Sequence, residues 1–254
     1  MRKLLTVDGV SKHFGGIKAL TNVSFTVNAG EIFGVIGPNG AGKTTLFNAL
    51  TGLYQPDTGS IDLDSVSIYR RKPHEILQAG FARTFQNIRL FHNMTALENV
   101  MVGRHTRTKA GVLSAIFHWN QTEERECQEF ALHLLRRVGI AKHAHALAKQ
   151  LSYGDQRRLE IARALASEPK LLALDEPAAG MNPNEKQGLR DLMLSLRTDG
   201  LTLMLIEHDV QLVMGICDRL VVLDYGEKIA EGTPEQVRHD PTVIAAYLGA
   251  EAAA

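Results

Sequence analysis

Residues Gly37-Pro38-Asn39-Gly40-Ala41-Gly42-Lys43-Thr44, with Thr45 next, fit the pattern G-x-x-x-x-G-K-[ST]. Each residue type has a physical reason. Gly37, Gly40 and Gly42 let the backbone come close and turn its N–H groups toward an anion. A helix beginning near Gly42 directs the positive end of its dipole at the same anion. Lys43 neutralises β and γ phosphates, and the Thr44 hydroxyl is placed to ligate Mg2+. The chemistry implied is binding of a nucleoside triphosphate. A second candidate lies at Leu171-Leu172-Ala173-Leu174-Asp175-Glu176, an apolar run ending in two acids. At such a strand end the first acid, Asp175, reaches the metal, and Glu176 holds the attacking water as a general base. An acid capping the next helix would look the same, and it is the phosphate loop that favours the chemical reading. His208 closes the apolar run 201–206, one residue after Glu207. A strand-end histidine can touch a γ-phosphate, but a lone histidine is more often structural, so its spacing by itself carries little weight.

These groups need a scaffold that gathers them. Residues 31–37 form a short apolar run ending in glycine, as a buried parallel strand does. Leu46, Ala49, Leu50 and Leu53 then recur at helical spacing. Residues 32–53 therefore read as strand, glycine-rich loop and helix. Before them, Leu5, Val7 and Val10, then Val23, Phe25 and Val27, are spaced as strands, with a turn over 13–16. After residue 169 short apolar runs at 171–174, 201–206 and 220–223 alternate with helix-like stretches at 184–197 and 209–217. That alternation implies an α/β fold with a parallel sheet. Residues 87–168 look mostly helical, with Cys127, Phe130, Ala131, Leu134, Leu135 and Val138 on one face, and read as an insertion. The tail, 243–248, is a short helix.

The chain has 254 residues, of which 44% are hydrophobic and 22% charged, within the range of ordinary globular proteins. Lysine plus arginine is 28 and aspartate plus glutamate is 28. Zero net charge argues against nucleic-acid binding through a bulk positive field. The two cysteines, Cys127 and Cys217, sit in no metal-binding pattern, and a reduced state is expected. No apolar run approaches the ~18–20 residues of a membrane span, and residues 1–10 lack a signal-peptide core. A soluble intracellular chain is expected, with any membrane role supplied through a partner.

Further motifs carry a resemblance. Leu151-Ser152-Tyr153-Gly154-Asp155, followed by Gln156-Arg157-Arg158, is similar to the signature of ABC ATPases. Gln86, within Arg83-Thr84-Phe85-Gln86-Asn87, matches their glutamine loop. Ala179-Gly180-Met181-Asn182 matches the D-loop, and His208 the switch histidine. Phe14 stands where these proteins stack an aromatic ring on adenine. The chain thus resembles the ATP-binding subunits of ABC transporters over nearly its whole length. The stretches 151–163, 175–183, 206–215 and 232–249, and the insert 104–120, are most similar to subunits of branched-chain amino-acid importers.

The resemblance implies a P-loop NTPase core with an N-terminal antiparallel β subdomain and an inserted α-helical subdomain. Residues 1–86 and 169–254 would form the core, and 87–168 the helical part. It implies ATP and Mg2+ as cofactors, with Thr44, Gln86 and Asp175 at the metal. Glu176, His208 and Gln86 would be the catalytic groups. Two cassettes would face head to tail, so that Ser152 and Gly154 of one complete the nucleotide site of the other. Integral membrane permeases, and indirectly a periplasmic or extracellular substrate-binding protein, are the implied partners. The place would be the inner face of the cell membrane. Tyr153, Asp155 and Asn182 depart from the usual glycine, glutamine and aspartate. A carboxylate near a triphosphate is unfavourable unless it points away, so a non-identical second ATP-binding subunit is expected.

Other features have plainer readings. Arg70-Arg71-Lys72 reads as a solvated surface. Arg157 and Arg158 could be solvated or face phosphates. Ile116, Phe117 and Trp119 could anchor a membrane-domain contact or form a local core. Long heptad helices, as in chromosome-maintenance ATPases, are absent, and one cassette, not the tandem pair of translation-associated proteins, is present.

Overall fold

The computed structural model describes residues 2–105, 121–207 and 209–251. His208 and the aromatic insert residues Phe117 and Trp119, with Ile116, lie outside the described residues.

Strands β1 (Lys3–Phe14) and β2 (Ile17–Asn28) form a hairpin. The turn is tighter than residues 13–16. His13 pairs with Lys18 and Phe14 with Ile17, which leaves Gly15 and Gly16 as a two-residue loop with φ 58° at Gly15. After β3 (Ile32–Ile36) and α1 (Lys43–Leu50), β4 (Thr58–Leu63) pairs with β1, and β5 (Val66–Ser67) with β4. This antiparallel sheet has the order β2-β1-β4-β5.

Then come α2 (Pro73–Ala79), β6 (Phe81–Arg83), α3 (Ala96–Arg104), α4 (Gln121–Arg137) and α5 (Tyr153–Leu165). Two 3-10 turns, Ala141–His143 and Ala148–Gln150, precede α5. The remainder is β7 (Leu171–Asp175), α6 (Pro183–Thr198), β8 (Thr202–Ile206), α7 (Val210–Ile216), β9 (Arg219–Asp224), β10 (Glu227–Gly232), α8 (Pro234–Arg238) and α9 (Pro241–Glu251). The second sheet has the order β10-β9-β3-β8-β7-β6, parallel except for the β9–β10 hairpin. The α/β parallel architecture expected from the alternating runs is the one observed.

The central strands are apolar throughout because both faces are covered. In β3, Ile32 and Ile36 enter one core, while Phe33 and Val35 enter the other. In β7, Leu172 and Leu174 go one way, and Leu171 and Ala173 the other. One core holds α1 and the antiparallel sheet; the other holds α3 to α7. Parallel strands bring their C-terminal ends to one edge, so Gly37, Asp175, Glu176 and Glu207 emerge together. Among the described residues no helix is long and apolar enough to cross a membrane.

Candidate functional site

The loop between β3 and α1 depends on two glycines. Gly37 has φ 150°, and a Cβ there would stand 2.1 Å from the Leu223 carbonyl oxygen. Gly42 has φ 97°, and its Cβ would stand 2.7 Å from the Ala19 oxygen. Backbone therefore crowds the loop from behind. Gly42 is also the N-cap of α1 and offers no capping side chain, so first-turn N–H groups remain for an anion. Lys43, only 6% exposed, donates through its ammonium to the carbonyls of Gly37 (2.7 Å) and Pro38 (2.8 Å). Its burial lowers its pKa below the usual lysine value, and the Glu176 charge opposes that shift.

Beside the loop lies an open cleft of about 460 Å³. Residues 17–19, 39–45, Tyr225 and Gly226 line it. Pro38 lines a second cleft, of about 260 Å³, together with residues 39–41, Asp224, Tyr225 and Ala245 and Ala246 of α9. Thr44 is exposed and Thr45 half-buried. Phe14 ends β1 just before the lining residues. Its ring is 43% exposed and meets Tyr54 edge to face at 5.2 Å.

The paired acids stand at the end of β7. The Asp175 carboxylate accepts from Arg83 Nη2 at 2.6 Å, with side chains 5% and 7% exposed. Arg83 ends β6, the strand beside β7, and its Nη1 donates to Asn48 Oδ1 (2.7 Å) and Thr51 Oγ1 (3.0 Å). Glu176 sits in the left-handed region, φ 47°, with its N–H donating to the Ile206 carbonyl at 2.9 Å. Gln86 Nε2 donates to its Oε2 at 2.7 Å. Glutamine loop and strand-end acid are thus in direct contact across 90 residues of sequence. Glu207, the neighbour of His208, accepts from the Ala178 N–H at 2.8 Å.

Ser152 and Gly154 belong to a different surface and line no part of the cleft. Ser152 caps α5, its Oγ accepting from the Asp155 N–H at 3.2 Å. Gly154 is packed so closely that a Cβ would lie 2.8 Å from Glu185 Oε1. The three departures have internal contacts. Asp155 Oδ2 lies 3.7 Å from His143 Nε2. Asn182 caps α6 through the Glu185 N–H at 3.0 Å. The Tyr153 hydroxyl accepts from Arg157 Nη2 at 3.3 Å.

The two arginines left open by the sequence are placed here. Arg157 is fully buried against the Gln86 loop, and Arg158 donates to the Val138 carbonyl at 2.8 Å. Sequence reasoning assigned no role to Arg83, Arg157 or Glu160. The one available signal is that Arg157 precedes Ile161 and Leu165 at helical spacing, a charge on an apolar stripe. Both cysteines are free.

A family profile described as ABC transporter matches residues 20–179. A second, described as branched-chain amino acid ATP-binding cassette transporter, matches residues 227–253. A high-affinity branched-chain amino acid transport ATP-binding protein of Pseudomonas aeruginosa is 47% identical, over 98% of this chain and 98% of that one. The crystal structure of an ATP-binding cassette of an ABC transporter, in its ADP conformation, aligns with a TM-score of 0.86 and 34% identity. That alignment covers 98% of this chain and 100% of the other. A dimeric bacterial ABC transporter cassette aligns with a TM-score of 0.78 and 26% identity, over 91% and 99% of the two chains. With its phosphate loop and paired acids gathered on one sheet edge, the chain belongs to the ABC transporter family, as an ATP-binding subunit that hydrolyses ATP and serves membrane permeases.

Proposed function

We propose that the chain energises uptake of branched-chain amino acids by hydrolysing ATP at a site completed by a second cassette. The observation that carries the hydrolytic roles is the 2.7 Å contact between Gln86 and Glu176, adjoining Asp175. On this reading the backbone of residues 37–45 binds the phosphates, Lys43 neutralises the β and γ groups, and Phe14 stacks on adenine. The Thr44 hydroxyl, the Asp175 carboxylate and the Gln86 amide oxygen form a hard-oxygen donor set that suits Mg2+. When bound, the metal supplies positive charge to the transferring phosphoryl group. Glu176 takes the proton of the attacking water, and Gln86 orients that carboxylate. His208 joins them on sequence grounds alone.

Ser152 and Gly154, at the start of α5, complete the nucleotide site of the facing cassette. That the dimeric cassette has the same fold supports this arrangement. Tyr153 and Asp155 set this signature apart, so the second cassette is read as a non-identical chain. Residues 87–168 act as a helical subdomain on a core of 1–86 and 169–254. The permease carries the chain at the inner face of the membrane, and a substrate-binding protein delivers from outside. The substrate class is supported by the 47% identical transport protein and the profile over 227–253.

The test is the Glu176→Gln variant in the reconstituted transporter. ATP binding should persist while hydrolysis falls at least a hundredfold, general-base removal being worth about 10²–10⁴. Hydrolysis at the wild-type rate would remove Glu176 from the role. Leucine-driven ATPase activity should exceed that driven by urea or amides, and the reverse order would reassign the substrate.

A further inference from the structure

We infer that Arg157 is a positioning residue that binds the Gln86 loop and the signature helix into one body, linking the two nucleotide sites. The side chains of Arg157 and Glu160 are 0% and 1% exposed and pair at 2.8 Å. Arg157 Nη1 also donates to the Phe85 carbonyl (2.6 Å), and Nη2 to the Gln86 carbonyl (2.7 Å). Glu160 Oε1 accepts from the N–H groups of Phe85 and Arg89, each at 3.3 Å. Four backbone groups of residues 85–89 therefore end on two side chains of α5. The pairing of β6 with β7 ends at Arg83, and among the described residues no strand pairs with 85–89, so these side chains do the work of a sheet partner.

The energetics argue for a geometric role. Burial pushes the Glu160 carboxyl up despite Arg157 and the two N–H donors. Among the described residues Arg157 Nε finds no hydrogen-bond partner. A buried pair of this kind is often no more stable than well-packed apolar residues, so stability alone does not account for it. What it secures is placement. The Gln86 side chain, on the residue whose carbonyl Arg157 holds, reaches Glu176. On the helix, Arg157 sits one turn beyond Gly154, and Nη2 also reaches Tyr153. A shift of the signature surface is thereby transmitted to the glutamine that orients the general base. This rests on the facing-cassette reading above, in which Ser152 and Gly154 touch the other chain's nucleotide.

The experiment compares wild type, Glu176→Gln, Arg157→Met and Arg157→Lys in the reconstituted transporter. Nucleotide binding and amide hydrogen exchange are measured on the full chain. Arg157→Met is expected to lower kcat at least tenfold while KM for ATP stays within twofold. Amides of residues 85–89 should exchange at least tenfold faster, with those of 159–165 unchanged. Arg157→Lys, which keeps charge and part of the donation, should recover a substantial part of kcat. If Arg157→Met does not fold, Arg157→Lys decides, with an intermediate loss of kcat at unchanged KM expected. The inference is overturned if wild type turns over, Glu176→Gln does not, and the Arg157 variants keep wild-type kcat. It is equally overturned if kcat falls while KM for ATP rises and nucleotide binding weakens in step, which marks a merely structural residue. A wild-type transporter without ATPase activity would instead overturn the functional reading itself.

Discussion

Replacing Arg83 by methionine is expected to destabilise the protein through the acid it leaves behind. Asp175 and Arg83 are nearly inaccessible to water, and their contact is 2.6 Å. Removing one partner of a buried pair costs about 3–5 kcal/mol, because the remaining charge is neither hydrated nor matched. A loss of 1 kcal/mol lowers the melting temperature by about 2–4 °C in a chain near this size, so the drop should be roughly 6–20 °C. The assay is thermal unfolding followed by circular dichroism at neutral pH, without nucleotide. The double variant Arg83→Met, Asp175→Asn supplies the control, since it removes the orphaned charge as well. It should regain most of the loss, giving a coupling energy of about 2–3 kcal/mol in the double-mutant cycle. Strictly additive losses, or an Arg83→Met protein melting within about 2 °C of wild type, would refute the reasoning by showing the pair to be effectively hydrated.

Lys43→Met should weaken ATP binding by about 3 kcal/mol or more, roughly a hundredfold, in titration calorimetry. Burial holds the Lys43 pKa below its unfolded value, so between those two values the unfolded chain carries more protons than the folded one. The free protein should therefore gain stability from this group as pH rises through that window, while ATP affinity declines there as the ammonium is lost. Lys43→Met should abolish both trends. Gly34→Ala would set a Cβ 2.4 Å from Leu220 Cδ2 and 3.1 Å from Cys217 Sγ. Overpacking of that kind costs about 1–3 kcal/mol, read as a lowered urea midpoint. Burial raises the pKa of both thiols, most at Cys217. Iodoacetamide at pH 8 should therefore modify half-buried Cys127 slowly and Cys217 only after unfolding, as mass spectrometry would show.

Elements with a strong local signature were legible in the sequence. Strand β3, the glycine loop and α1 follow from composition and spacing alone, and β7, β8 and β9 from short, largely apolar runs. Strand β6 was not legible, because three residues carry no period, and it is the neighbouring strand that makes Phe81-Ala82-Arg83 a strand. Strand β10, Glu227-Lys228-Ile229-Ala230-Glu231-Gly232, lies half-buried or exposed at the sheet edge and shows no apolar run. The residues of the phosphate loop could be named because backbone geometry dictates glycine there. Glu160 and Tyr153, three and four residues from Arg157 on α5, stand at a helical spacing that a sequence can suggest. The other partners, the Phe85 and Gln86 carbonyls for Arg157 and Asp175 for Arg83, are set by tertiary packing and leave no spacing to read.

The two-sided burial of the central sheet has a consequence for how the chain finds its alignment. A strand that is apolar on both faces gains as much hydrophobic contact one residue out of step as in step. Here volume supplies the discrimination. The face of β3 that presents Ile32 and Ile36 has Gly34 between them, where even a methyl group would collide with Leu220. A one-residue slip would drive Phe33 or Val35 into that gap. Gly34 thus works as a keyway, admitting one registration and with it one position for the loop that starts three residues later.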